Sequence, residues 1–175
     1  MDLLIVVDMQ NDFVSGALGT KEAVEIVPDV VGRVVDGMNR GETILFTRDT
    51  HEETYMETQE GRNLPIPHCI RGSEGWEIIP QLTEYTLGRT ILDKPTFGSA
   101  VLGELLADMN RESTIEKITL IGLCTDICVV SNALMLKAHY PENNISVDAN
   151  CCAGVTPKSH NEALATMGMC QIDIK

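Results

Sequence analysis

Leu3-Leu4-Ile5-Val6-Val7-Asp8-Met9-Gln10-Asn11-Asp12-Phe13 begins with five consecutive apolar residues and then turns abruptly polar. A strand with one wet face alternates. An unbroken apolar run of this length reads as a strand covered on both faces, as in parallel sheets. Outward from this stretch the same unit recurs. Ala23 to Met38 carries apolar residues at helical spacings, with Pro28 near its start and Asn39-Arg40-Gly41 as a stop signal. Thr43 to Thr47 and Thr90 to Leu92 read as strands, and Val101 to Met109 as a helix behind Ser99 as N-cap. Lys117 to Ile121 is the next strand, and Ile127 to His139 a helix stopped by Pro141. Ile145 to Val147 is a strand, Ser159-His160-Asn161-Glu162 a capping-box pattern opening a helix to Met167, and Ile172 to Ile174 a closing strand. Strands alternating with helices predict a three-layer α/β/α fold: a parallel, Rossmann-like six-stranded sheet with right-handed crossovers, residues 1–175 forming a single domain.

The composition agrees. At 175 residues, 43% hydrophobic and 22% charged, the chain matches soluble globular domains and can bury about two-thirds of its unfolded surface. No apolar run approaches the roughly 20 residues of a membrane span, and Leu3 to Val7 is too short for a signal peptide. A cytoplasmic location is therefore expected. The net charge of -13 would repel a phosphate backbone, which argues against nucleic acid, and no basic run suggests an anionic membrane. The six cysteines, in a chain without an export signal, read as free thiols.

Ligands of open parallel sheets bind beyond the carboxyl ends of the strands. The first strand is followed by Asp8, the second by Asp49-Thr50-His51, the third by Asp93-Lys94 and the fourth by Gly122-Leu123-Cys124-Thr125-Asp126-Ile127-Cys128. Acid, imidazole, amine and thiol would thus share one edge. Cys128 would open a helix with Thr125 or Asp126 as N-cap, where about half a positive charge favours a thiolate, and a neighbouring Lys94 would favour it further. Taken singly, each residue has a plainer reading: Cys128 as a core thiol, Asp8 as a turn former, Lys94 as a solvated amine. Asp49-x-His51 with His68 has the spacing and chemistry of a Zn, Fe or Mn site. Glu60 is either a further ligand or part of the solvated acidic run from Glu52. Dinucleotide, P-loop and serine-hydrolase motifs are absent.

Together these motifs resemble the isochorismatase-like cysteine hydrolases, and within them the nicotinamidase/pyrazinamidase branch. Asp8-Met9-Gln10-Asn11-Asp12-Phe13 is similar to the family's opening motif. Lys94 stands where its lysine does, and Gly122 to Val129 resembles its nucleophile motif. Asp49-Thr50-His51 with Pro67-His68-Cys69 resembles the nicotinamidase metal site. The resemblance implies a triad of Asp8, Lys94 and Cys128, and an oxyanion hole from the backbone N–H groups of Cys124 and Cys128 after a cis Leu123–Cys124 peptide. It also implies Phe13 and Phe97 around a substrate ring, and one divalent transition metal on Asp49, His51 and His68. Zinc is the first expectation, with iron or manganese as alternatives. The implied partner is a small-molecule amide, with a homo-oligomer as a further option. Two positions depart from the pattern: Leu64-Pro65-Ile66-Pro67 lacks the aromatic usual before the second metal histidine, and Cys124 replaces a small residue. An amidase for another small amide or carbamoyl compound, and a catalytically idle binding subunit of the same fold, stand as alternatives. A thiol redox protein is disfavoured, because the adjacent Cys151 and Cys152 are poor partners.

Overall fold

The computed structural model describes residues 1–175. β1 (Asp2–Val7) carries Leu3, Ile5 and Val7 on one face and Leu4 and Val6 on the other, as the two-residue repeat of a strand requires. Neither face is wet. Leu4 and Val6 join a core shared with α3 (Val27–Asn39) and α5 (Pro80–Thr86), through Val30, Val34 and Leu82. Leu3, Ile5 and Val7 join a second core with α6 (Ala100–Glu112), α7 (Val130–His139) and α8 (Pro157–Met169), through Leu102, Leu106, Ala133, Leu136 and Met167.

The other strands are β2 (Thr43–Asp49), β3 (Thr90–Lys94), β4 (Lys117–Leu123), β5 (Asn144–Ala153) and β6 (Asp173–Ile174). They form one parallel six-stranded sheet in the order β3-β2-β1-β4-β5-β6. The order reverses between β1 and β4, the switch point where open sheets bind ligands. Three short helices, α1 (Asn11–Val14), α2 (Lys21–Glu25) and α4 (Gln59–Asn63), lie in connections. No helix is long and apolar enough to cross a membrane.

Several local readings need correction. The stretch from Ala23 to Met38 is two helices, because the chain breaks at Ile26 and Pro28 enters the first turn of α3. β5 continues to Ala153: Val147 pairs with Leu120 and Cys152 with Gly122, so Asp148 to Cys151 form a bulge that hid the strand. The last helix is capped by Thr156, which makes a reciprocal box with Ser159. The segment Thr125–Val129 is a π-turn with Cys124 at its N-cap and no side-chain cap, so neither Thr125 nor Asp126 caps it. Thr125 instead bonds His160 Nδ1 at 2.8 Å, and Asp126 accepts the Val155 N–H at 3.0 Å.

Gly122 shows how closely β1 and β4 meet. Its φ is +114°, and a Cβ there would lie 2.1 Å from the Val7 carbonyl oxygen. Gly32, exposed within α3, has nothing within 4 Å of such a Cβ. Gly122→Ala is therefore expected to cost more than about 3 kcal/mol of stability. Gly32→Ala is expected to add about 0.5–1 kcal/mol. Urea unfolding of the two variants checks both signs.

Candidate active site

Four strand ends meet at the switch point. Asp8 leaves β1 with φ at +47°, a left-handed conformation that Asp tolerates better than most residues. Its carboxylate is fully buried; Oδ1 accepts from the Thr47 hydroxyl at 2.6 Å and Oδ2 lies 2.6 Å from Lys94 Nζ. Thr47 is the hydroxyl in the otherwise apolar run Ile44-Leu45-Phe46, a polar residue whose role this bond explains. Lys94 ends β3 directly beside Asp49 in the sheet register. Its ammonium also reaches Asp49 Oδ1 and Cys128 Sγ, each at 3.4 Å, and donates to the Thr96 carbonyl at 3.2 Å. Cys128, in the turn after β4, is buried, and Lys94 lies between it and Asp8, 3.4 Å from its sulfur and 2.6 Å from the carboxylate.

The electrostatics follow from burial and charge count. Burial alone would pull the Lys94 ammonium down, but Asp8, Cys128 and Asp49 hold it above its usual value. Burial raises Asp8, with the nearby Asp49 adding to it against the pull of Lys94. Burial also raises the Cys128 thiol, and Asp8 adds to this; Lys94 acts in the opposite direction and is outweighed. The sequence expectation of a thiol simply lowered by its lysine is thus incomplete. Burial thus raises both Asp8 and Cys128, and Lys94 is the cation that opposes the rise at each.

Cys124 lines the same cavity, its thiol pushed up to about 12 by burial and by Asp126. The peptide Leu123–Cys124 is cis. The Cys124 carbonyl accepts from Ile127 and Val129, while its N–H is left free of the turn's hydrogen bonds.

Beside this cluster, Asp49, His51, Glu60 and His68 bring one donor atom each within 4.8 Å of one another. His68 Nδ1 donates to the Ile66 carbonyl at 2.8 Å, which leaves Nε2 facing Asp49 Oδ2 at 3.6 Å and Glu60 Oε1 at 3.8 Å. His51 Nε2 is buried without a hydrogen-bond partner, although Asp49 Oδ2 is 2.9 Å away. Tyr55 packs against both imidazoles, with ring centroids at 4.7 and 5.0 Å. Two imidazoles and two carboxylates, with a buried nitrogen aimed into the group, fit one divalent metal ion. Glu60, left open by the sequence, lies in this group.

A cavity of about 320 Å³ joins the two clusters. Cys128 and Cys124 line one part, Asp49, Glu60 and His68 another, and Phe13, Leu18, Leu64, Phe97 and Ile127 supply apolar walls. Phe13 is buried, whereas Phe97 is 45% exposed. All the site residues read from the sequence lie in this cavity or directly behind its wall. What the sequence reading did not assign is the support: Thr47 on Asp8, and the Thr125–His160 and Asp126–Val155 bonds that tie the Thr125–Val129 turn to the start of α8.

Lys94→Met should slow iodoacetamide alkylation of Cys128 by about tenfold or more, because the thiolate loses its counter-charge while Asp8 still repels it. Peptide mass spectrometry reads Cys128 separately from the exposed Cys170. An unchanged Cys128 rate would mean that the ammonium does not set the reactivity of this thiol.

The geometry has close counterparts. The Isochorismatase domain model matches residues 2–173. A nicotinamidase of Escherichia coli (strain K12) is 28% identical over 194 residues, covering 95% of this chain and 89% of its own. The crystal structure of the pyrazinamidase of Pyrococcus horikoshii in complex with zinc superposes with a TM-score of 0.83 at 26% identity, covering 99% of this chain and 98% of that one. An N-carbamoylsarcosine amidase from Thermoplasma acidophilum superposes with a TM-score of 0.79, also at 26% identity, over 99% and 95% of the two chains. Sequence match, sheet order and strand-end chemistry lead to one assignment: the chain belongs to the isochorismatase family.

Proposed function

We propose that this chain is a metal-containing cysteine amidohydrolase, and specifically a nicotinamidase that converts nicotinamide and water to nicotinate and ammonia. The observation that carries the reading is one cavity that reaches Cys128, with Lys94 and Asp8 behind it, and also Asp49, Glu60 and His68 of the four-donor group. The E. coli nicotinamidase and the zinc-bound pyrazinamidase support it.

Asp8 takes the Cys128 proton, with Lys94 holding the charge balance. The Cys128 sulfur attacks the carboxamide carbon, and the backbone N–H groups of Cys124 and Cys128 receive the oxyanion. Asp8 returns the proton to the departing ammonia. It then takes a proton from the water that attacks the thioester, which releases the acid and restores the thiol. Phe13 and Phe97 flank the ring. When bound, a divalent ion on Asp49, His51, Glu60 and His68, with zinc as first choice over iron or manganese, supplies a Lewis-acidic position for a ring nitrogen. The lack of an aromatic in Leu64-Pro65-Ile66-Pro67 and Cys124 in place of a small residue favour a second reading, a related amidase for a different small amide. The N-carbamoylsarcosine amidase neighbour is of that kind.

Ammonia release by metal-replete protein separates these readings. Nicotinamide should turn over at least about 100-fold faster than benzamide, which has no ring nitrogen. His51→Ala should lose both that preference and its bound ion. Cys128→Ala should release no ammonia while keeping its circular dichroism spectrum. Equal rates on the two amides in the parent would remove the nicotinamidase reading and leave the cysteine amidase. Full turnover in Cys128→Ala would remove both.

A further inference from the structure

The segment after β1 supplies Asp8 to the reaction, yet two more of its side chains, Gln10 and Asp12, have no part in the steps above. Gln10 is fully buried and its carboxamide is almost fully satisfied. Oε1 accepts from the Asp49 N–H at 2.7 Å, and Nε2 donates to the Asp49 carbonyl at 2.8 Å and to the Trp76 carbonyl at 2.9 Å. The side chain thus does for Asp49 what a neighbouring strand would do, at a level where β1 has already turned away through the left-handed Asp8.

Asp12 acts two residues further on. Its Oδ2 accepts the Cys69 N–H at 2.8 Å, directly after His68. Cys69 is itself left-handed, with φ at +47°, a conformation that needs an external anchor. The Cys69 carbonyl in turn accepts the His51 N–H at 3.0 Å. One carboxylate therefore begins a ladder that sets the backbones of both imidazole donors. Gly75 is its seat: a Cβ there would lie 2.1 Å from Asp12 Oδ2.

We propose that Gln10 and Asp12 are positioning residues for the metal centre, Gln10 fixing Asp49 and Asp12 fixing the His51–His68 pair. The inference rests on reading Asp49, His51, Glu60 and His68 as the ligands. One segment then registers the base Asp8 and three metal donors on a single frame.

The test measures Zn²⁺ affinity by competition with a chromogenic chelator, with melting temperature as the check on folding. Asp12→Ala and Gln10→Met should weaken Zn²⁺ binding about 10- to 100-fold, the usual effect of removing outer support from a metal ligand. Gly75→Ala, which changes neither Asp12 nor any ligand, should weaken it similarly by displacing the carboxylate. Asp12→Asn keeps an oxygen for the Cys69 N–H and should stay within about threefold of the parent. In metal-free protein, Cys128 alkylation in Asp12→Ala and Gly75→Ala should match the parent, since the Asp8–Lys94–Cys128 contacts are untouched. Parental Zn²⁺ affinity in both Asp12→Ala and Gly75→Ala would overturn the proposal and leave the metal site standing. A parallel fall in alkylation would also overturn it, because the residues would then support the whole sheet edge. A parent that takes up no Zn²⁺ would overturn the proposal and the metal reading together.

Discussion

Lys94 places an ammonium with no exposed surface 2.6 Å from an equally buried Asp8 carboxylate. Removing such a pair from water costs several kcal/mol per ion, and mutual attraction compensates only when the remaining donors are satisfied as well. Here Asp49, the Thr96 carbonyl and Cys128 complete the shell. With Asp8, these partners come from the ends of β1 and β2, the loop beyond β3 and the turn after β4. Residues far apart in sequence are therefore held at one point by a charge that tolerates no vacancy around it. The left-handed turn at Asp8 and the close passage at Gly122 are local costs accepted to bring those ends together.

The same charge decides which thiol matters. Six cysteines are present and none forms a disulfide. Cys69, Cys151 and Cys152 are raised by burial and by nearby acids or each other, with Cys151 pushed up to about 12. Cys124 shares the cavity but faces Asp126, and Cys170 is exposed on the far end of α8. Cys128 alone has an ammonium 3.4 Å from its sulfur. Burial makes the resting thiol hard to ionise, and the same burial strengthens the attraction between the ammonium and any negative charge formed at the sulfur.

Much of this was legible in the sequence, for a physical reason. Parallel strands buried on both faces write themselves as apolar runs, and reactive side chains stand at the ends of those runs. Leu3 to Val7 with Asp8, and Lys117 to Ile121 with Cys128 beyond, could be read directly. The sequence shortens β5 because the bulge at Asp148 to Cys151 breaks the apolar pattern, and it runs α2 and α3 together because the apolar spacing continues through the break at Ile26. Glu60 was ambiguous because an acidic run has the same composition whether solvated or aimed at a cation. Gln10, Thr47 and Asp12 were not assigned because they bond to backbone or to one distant partner, which leaves no period and no spacing to detect.

The metal group and the thiol cluster meet at Asp49. Its Oδ1 lies 3.4 Å from the Lys94 ammonium, and its Oδ2 lies 2.9 Å from His51 and 3.6 Å from His68. Burial would raise this carboxyl, but the two imidazoles and Lys94 hold it well below the usual carboxylate range, so it stays an anion. A carboxylate divided in this way, one oxygen to the amine and one to the imidazoles, cannot be exchanged for a neutral residue without disturbing both sides. It also stands where the two parts of the cavity meet, with Asp49, Glu60 and His68 lining one and Cys124 and Cys128 the other. On the proposed reading this arrangement constrains the substrate: the group presented to the metal donors and the carbon presented to Cys128 must belong to one small molecule.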